Sequence, residues 1–184
     1  ITAPASPNKQ PSEHYTYEFS GWNGFTDGMQ LVENGSYSAV FTEIPNQYTL
    51  TYMVEGAVYQ TQTVAYGSVI ALPQTPIKQG DHQYEFVFAG WRGYVPGMSV
   101  SGDAQFTAVF DKVVRKYTIT FMDSDGVTII SQRRVAYGSK VNPPNAPYKA
   151  GYIFVTWENY YGMAEVTEDA TYRAIYEVDP SYVP

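Results

Sequence analysis

Cysteine is absent from the 184-residue chain. That excludes a disulfide scaffold, a thiolate zinc site and a cysteine nucleophile. Charged residues are few, at 16%, and 11 Lys and Arg face 18 Asp and Glu for a net charge of -7. Phosphate contacts need clustered basic side chains, so nucleic acid is not an expected partner. No apolar run approaches the ~20 residues of a membrane-spanning helix, so membrane insertion is not expected. Histidine occurs twice, at His14 and His82, and the two do not fall at equivalent positions of the repeat described below. No Gly-x-Ser-x-Gly elbow, His-Glu-x-x-His or phosphate-binding loop is present. The expectation is therefore a protein that is not an enzyme, with no cofactor and no metal. Ile1-Thr2-Ala3-Pro4 lacks the basic start and apolar core of a signal peptide. Disorder is disfavoured, because 16% of the residues are aromatic.

What the chain does have is internal repetition. Gly21-Trp22 returns 69 residues later as Gly90-Trp91, and at the same offset Pro4, Pro7, Lys9, Tyr15, Phe19 and Gly28-Met29 each meet an identical residue. Ala39-Val40-Phe41 likewise meets Ala108-Val109-Phe110. A third copy follows. Tyr48-Thr49-Leu50-Thr51-Tyr52 corresponds to Tyr117-Thr118-Ile119-Thr120-Phe121, Val64-Ala65-Tyr66-Gly67-Ser68 to Val135-Ala136-Tyr137-Gly138-Ser139, and Trp91 to Trp157. The copies divide the chain into a partial repeat at 1–44 (a C-terminal half), full repeats at 47–112 and 116–178, and a tail at 179–184. The half-unit at the start is expected either from a chain cut out of a longer array or from a folding unit permuted relative to these boundaries.

Each full copy opens with a period-2 run of aromatic and β-branched residues, which predicts a half-buried strand. Glu55-Gly56 and Asp123-Ser124-Asp125-Gly126 predict turns. The returning segments, Val58–Ala65 and Thr128–Ala136, are more polar and read as edge strands closed by Gly67 and Gly138. A Pro-punctuated crossover follows, at Leu72–Lys78 and its equivalents Pro4–Lys9 and Pro144–Lys149, with room for one short helical turn at most. Further strands are expected at Tyr84–Phe88 and Gln105–Phe110, with equivalents Tyr15–Phe19 and Ser36–Phe41, and Tyr152–Phe154 and Thr171–Tyr176. The result is a mainly β unit of four strands. Thr42–Asn46 and Asp111–Val114 read as short connectors that hold neighbouring units in an extended, semi-rigid string.

The order Tyr-Thr-x-Thr-Phe, Val-Ala-Tyr-Gly-Ser, Pro-x-x-Pro-x-Lys, aromatic-x-Phe-x-Gly-Trp and Ala-Val-Phe resembles the Listeria–Bacteroides repeat, of which the internalin B-repeat is one type. The resemblance implies a small β-grasp-like module, α+β with little or no helix here, in secreted or cell-surface bacterial proteins. There it implies a stalk or spacer, or an adhesive surface. The last copy departs from the pattern, with Thr156-Trp157 in place of Gly-Trp and a shortened crossover, which bears on its loop geometry.

Trp22, Trp91 and Trp157 recur once per copy at a strand end, where a core anchor is expected over a sugar-stacking platform. Phe25, Tyr94 and Tyr160, three residues further on, are the candidates for binding a host glycan or surface protein. Asp123-Ser124-Asp125-Gly126 resembles the start of a calcium loop, but no Glu follows at the required distance, so a plain turn is expected. Lys9, Lys78 and Lys149 align, as do Asn34, Asp103 and Asp169. That pairing suits an isopeptide cross-link, yet no acid recurs in register to support one, and an exposed Lys with a turn-forming Asn or Asp is expected instead.

Overall fold

A computed structural model describes residues 1–162 and 164–183. Met163, and Pro184 of the expected tail, lie outside the described residues. Among the described residues there is no helix; the regular structure is entirely β. The strands are β1 (Tyr15–Trp22), β2 (Ala39–Pro45), β3 (Gln47–Val54), β4 (Ala57–Ala65), β5 (Tyr84–Arg92), β6 (Ala104–Val114), β7 (Lys116–Met122), β8 (Ile129–Ala136), β9 (Tyr152–Trp157) and β10 (Ala170–Val178). They form a two-stranded sheet β1-β2 and two four-stranded sheets, β4-β3-β6-β5 and β8-β7-β10-β9. The chain clusters into two compact units, Ile1–Pro76 with Ala89–Val109, and Ile77–Phe88 with Phe110–Pro184.

In each four-stranded sheet the first strand sits centrally, antiparallel to the returning strand and parallel to the last one. Leu50–Met53 pair in parallel with Ala104–Thr107, and Ile119–Met122 with Ala170–Arg173. A parallel pair cannot be closed by a tight hairpin, so the chain must cross over between the two strands. Here the Pro-punctuated segments do so without a helix. The polar returning strands β4 and β8 lie at sheet edges, where one row of backbone groups faces water. The β3–β4 turn places both Glu55 (φ 51) and Gly56 (φ 83) in the left-handed region, the geometry of a two-residue type I′ hairpin loop.

Alternation on β3 and β7 sends Leu50 and Tyr52, or Ile119 and Phe121, into the core. In the second copy Ile70, Trp91, Val100 and Phe106 are buried as well, with Trp91 and Phe106 against the Tyr52 ring. In the third copy Ile119 and Phe121 meet Val141, Trp157, Val166 and Ala174. Trp91 packs edge-on against Tyr52 at 5.1 Å, and Trp157 against Phe121 at 4.9 Å. Each such ring contributes roughly 1.5–3 kcal/mol by burial, which a module this small without disulfides requires.

The same register irregularity recurs beside two of the tryptophans, between Phe19 and Gly21 and between Ile175 and Tyr176 on the paired strand. Gly21 and Gly90 take φ of 145° and 135°, which favours glycine. Thr156 holds the same place in β9 without a positive φ, and Trp157 is still buried. The departure of the last copy from Gly-Trp therefore leaves its core intact.

Two strand expectations are corrected. The segments read as connectors, Thr42–Asn46 and Asp111–Val114, are strand except for Asn46: β2 runs to Pro45 and β6 to Val114. Residues Thr42 to Pro45 stay in register with Glu18 to Tyr15, so the ladder continues where a linker was expected. Conversely, the first copy's last strand starts at Ala39 rather than Ser36. Its Gly35–Ser38 segment corresponds to the part of β6 that pairs in parallel with β3, and here there is no such partner.

Candidate functional site

Only one residue separates the last strand of one copy from the first strand of the next, Asn46 between β2 and β3 and Arg115 between β6 and β7. Both are tied on each side. Asn46 donates its N–H to the His14 carbonyl at 2.8 Å and accepts from the Tyr66 N–H at 2.8 Å. Arg115 repeats this with Gln83 at 2.9 Å and Tyr137 at 2.8 Å. Its side chain also donates from Nε to the carbonyls of Asp81 at 2.5 Å and Tyr84 at 3.3 Å, as Asn46 Nδ2 donates to the Glu13 carbonyl at 2.9 Å. A tyrosine hydroxyl closes each joint: Tyr48 donates to the Glu13 carbonyl at 2.9 Å and Tyr117 to the His82 carbonyl at 2.6 Å.

The first joint adds an aromatic stack. The His14 ring lies parallel to Tyr66 at 4.0 Å, with Nδ1 3.2 Å from the Tyr48 hydroxyl, and Tyr15 meets Tyr66 edge-on at 5.5 Å. The second joint rests on a tight turn. Asp81 Oδ1 accepts the N–H groups of Tyr84 at 2.7 Å and Gln83 at 2.8 Å. These bonds, that of Tyr84 first, hold the Asp81 carboxyl below its ordinary value. A Cβ on Gly80 would lie 2.2 Å from the Tyr84 carbonyl oxygen, so only glycine allows this approach.

The candidate binding aromatics each pack against another ring of their own copy. Phe25, Tyr94 and Tyr160 are each half-buried, each edge-on to the aromatic of its own copy's last strand or, in the first copy, its equivalent Tyr37. The Phe25–Tyr37, Tyr94–Phe106 and Tyr160–Tyr172 centroid distances are 5.4, 6.1 and 5.4 Å. Tyr160 further donates its hydroxyl to the Val141 carbonyl at 2.6 Å. Other tyrosines use their hydroxyls in the same way: Tyr52 reaches the Ala71 carbonyl, Tyr59 that of Gln74 and Tyr176 that of Pro147. The Pro-rich crossovers lie outside the strand ladders, and tyrosine hydroxyls satisfy carbonyls there. The abundance of tyrosine reflects these tethers as well as apolar area.

Gly67 and Gly138 take φ of 80° and 75° in the turn that closes each returning strand. Their N–H groups donate to the carbonyls of Val100 and Val166, both at 2.8 Å. The aligned lysines sit over aromatic rings, Lys9 3.6 Å above Tyr17, Lys78 4.3 Å above Phe86 and Lys149 4.8 Å above Tyr152. Asp103 and Asp169 each accept a backbone N–H at the start of the first strand, from Thr49 at 2.7 Å and Thr118 at 2.6 Å. In Asp123-Ser124-Asp125-Gly126 the carboxylates are taken up by the turn itself. Asp125 accepts from the Thr128 hydroxyl at 2.6 Å and from the N–H groups of Thr128 and Val127, both at 2.8 Å, and is held at about 2. Among the described residues no cluster of three or more His, Asp or Glu is arranged to hold a metal ion.

Sequence reading missed the joints because the acceptors there are backbone carbonyls of Glu13, His14, His82 and Gln83, whose side chains do not recur. The one available signal was the recurrence of Tyr48 as Tyr117.

Comparison with known proteins agrees with this repeating construction. The chain is 30% identical over 162 residues to internalin H of Listeria monocytogenes, covering 74% of this chain and 27% of that protein. It is 27% identical over 159 residues to a protein of Evansella cellulosilytica named as a Gly-rich membrane protein, covering 77% and 18%. The chain thus spans less than a third of the length of the curated relatives it matches. The Listeria-Bacteroides repeat domain profile matches residues 48–93 and 117–174, more than half of the chain, and the chain belongs to that family.

Proposed function

We propose that this chain is a non-catalytic spacer segment of a bacterial cell-surface protein, whose modules hold a neighbouring functional domain at a distance. The observation that carries this reading is the joint. One residue links two copies, its N–H is bonded to the first and its C=O to the second, and the arrangement occurs twice. Such a link resists bending at the place where a tandem chain would otherwise flex. The two histidines support a structural reading: His14 stacks in a joint, and His82 contributes a main-chain carbonyl to the other. The relatives, an internalin and a protein named for the membrane, support placement at the bacterial surface. The strand order with its parallel central pair supports reading each full copy as a β-grasp module whose helix is replaced by a Pro-punctuated crossover.

The competing reading is an adhesin that takes host glycan or glycoprotein on Phe25, Tyr94 and Tyr160. Their half-buried, edge-stacked placement favours the spacer. A glycan array with the intact chain tests this. The spacer reading expects no saturable binding, and saturable binding lost on Tyr94→Ala would overturn it.

A further inference from the structure

Alternation along β10 turns Tyr172, Ala174 and Tyr176 towards the core of the third copy. It leaves Arg173, Ile175 and Glu177 exposed on the opposite face of the sheet. The neighbouring edge strand β9 adds Ile153, paired with Glu177, and Val155, which the register irregularity leaves outside the ladder. Ile153, Val155 and Ile175 are 44%, 50% and 40% exposed, so three aliphatic side chains on adjacent strands meet water together. Towards β7 the same face turns polar. Thr120 pairs with Thr171, and its hydroxyl accepts from Gln132 Nε2 at 3.0 Å. An apolar patch with a polar border has the make-up of an interface. Strand β10 also reads cation, apolar, anion at 173, 175 and 177, which neither other copy does. The equivalents are Thr107, Val109 and Asp111 in the second copy and Ser38, Val40 and Thr42 in the first, where Glu18 stands in the place of Ile153.

We propose that this face pairs with the same face of a second copy of the chain, the two sheets stacked with their β10 strands antiparallel. The charge order selects both the occupant and the direction. A twofold axis running across the strands at Ile175 sets Ile175 on its counterpart, and Arg173 of each copy against Glu177 of the other. A twofold axis along the strands would set like charges together, which is unfavourable. The strand is therefore its own complement in one orientation. Stacked sheets lie ~10 Å apart, with the aliphatic side chains filling the space between them. Four strands ~4.8 Å apart and ~20 Å long offer a face of ~400 Å² per copy, or ~800 Å² for the pair. That is below the ~1,200 Å² of a stable complex, so the pairing is weak and reversible.

Sedimentation equilibrium of the intact chain tests this pairing. A monomer–dimer equilibrium is expected, with the dimer populated at about 0.1–1 mM. Arg173→Glu sets two carboxylates against each other at both ends of the stack, and Glu177→Arg sets two guanidinium groups there. Each variant alone should associate at least ~10-fold more weakly than the unaltered chain. An equimolar mixture of the two variants restores opposite charges at both ends and should recover dimerisation, which also shows that both are folded. Ile175→Ser should weaken association without any such recovery on mixing. A chain that stays monomeric at ~1 mM would overturn the proposal. So would association that both charge variants keep, since another surface would then carry it. Loss of association in both variants that mixing does not recover would overturn it too.

Discussion

The Tyr117 hydroxyl donates to the His82 carbonyl oxygen at 2.6 Å, so the second residue of β7 is fastened to the turn that precedes β5. Tyr48 makes the matching bond to Glu13 in the first joint. Tyr117→Phe removes the donor and keeps the ring. It is expected to cost ~1 kcal/mol in urea unfolding, the ordinary net value of one such bond, and Tyr48→Phe a similar amount. A loss confined to the amides around each joint, read by hydrogen exchange, is the accompanying signature. No change in either measurement would show that the hydroxyls do not hold the joints.

Tryptophan substitutions should separate the buried indole of Trp157 from the half-buried one of Trp22. Trp157 is buried against Phe121, and Trp157→Ala is expected to cost about 3–5 kcal/mol in the stability of its module. Trp22 has Phe19 at 5.5 Å but no first-strand aromatic, and Trp22→Ala should cost less than about 2 kcal/mol. Denaturant titrations followed at module-specific amides check both values. Equal costs at the two sites would contradict the difference in burial between them.

Gly80 carries a backbone constraint that composition alone does not reveal. A methyl there would collide with the Tyr84 carbonyl and press on Arg115 Nη2 at 3.0 Å. Gly80→Ala is expected to destabilise the second joint by roughly 1–3 kcal/mol, as overpacking does. Gly102, with nothing within 4 Å of its built Cβ and no positive φ, is the control, and Gly102→Ala should be tolerated. Thermal unfolding of the two variants makes the comparison.

Acid should loosen the turns before the cores. Asp125 is held at about 2, chiefly by the Thr128 hydroxyl and then by backbone N–H groups, against an ordinary 3.8. Asp81 is lowered by the N–H groups of Tyr84 and then Gln83. A carboxyl lowered on folding stabilises fully above its unfolded value and loses that contribution as pH falls through the folded one. The window for Asp125 therefore runs from near 4 down to about 2. Carboxyl titration by NMR should place the Asp125 midpoint near 2, and Thr128→Val should raise it. A wild-type midpoint at the ordinary value would refute the hydrogen-bonded turn.

Much of this architecture was legible because period-2 alternation and recurring Gly-Trp pairs report local geometry directly. Tyr48–Tyr52 and Tyr117–Phe121 announce strands, and Pro73 and Pro76 exclude a long helix between them. The joints were not legible. Thr42–Pro45 and Asp111–Val114 carry no alternation that marks them as strand; they extend because β1 or the sheet supplies partners. The shortened last strand of the first copy was hidden for the converse reason, since Gly35–Ser38 resemble Ala104–Thr107 in sequence but lack the parallel neighbour that makes those residues a strand. The place of Phe25, Tyr94 and Tyr160 three residues after each tryptophan says nothing of their edge contacts with Tyr37, Phe106 and Tyr172, which depend on pairing between distant segments.

The spacer reading requires Arg115, bonded through both its N–H and its C=O, to hold Asp81–Phe88 in a fixed orientation to β7–β10. Residual dipolar couplings for the amides of Asp81–Phe88 and of β7 to β10, on the two sides of Arg115, measure this directly. One alignment tensor should fit both sets, and a variant carrying Arg115→Ala with Tyr117→Phe should need two. Two independent tensors in the unaltered protein would contradict the claim.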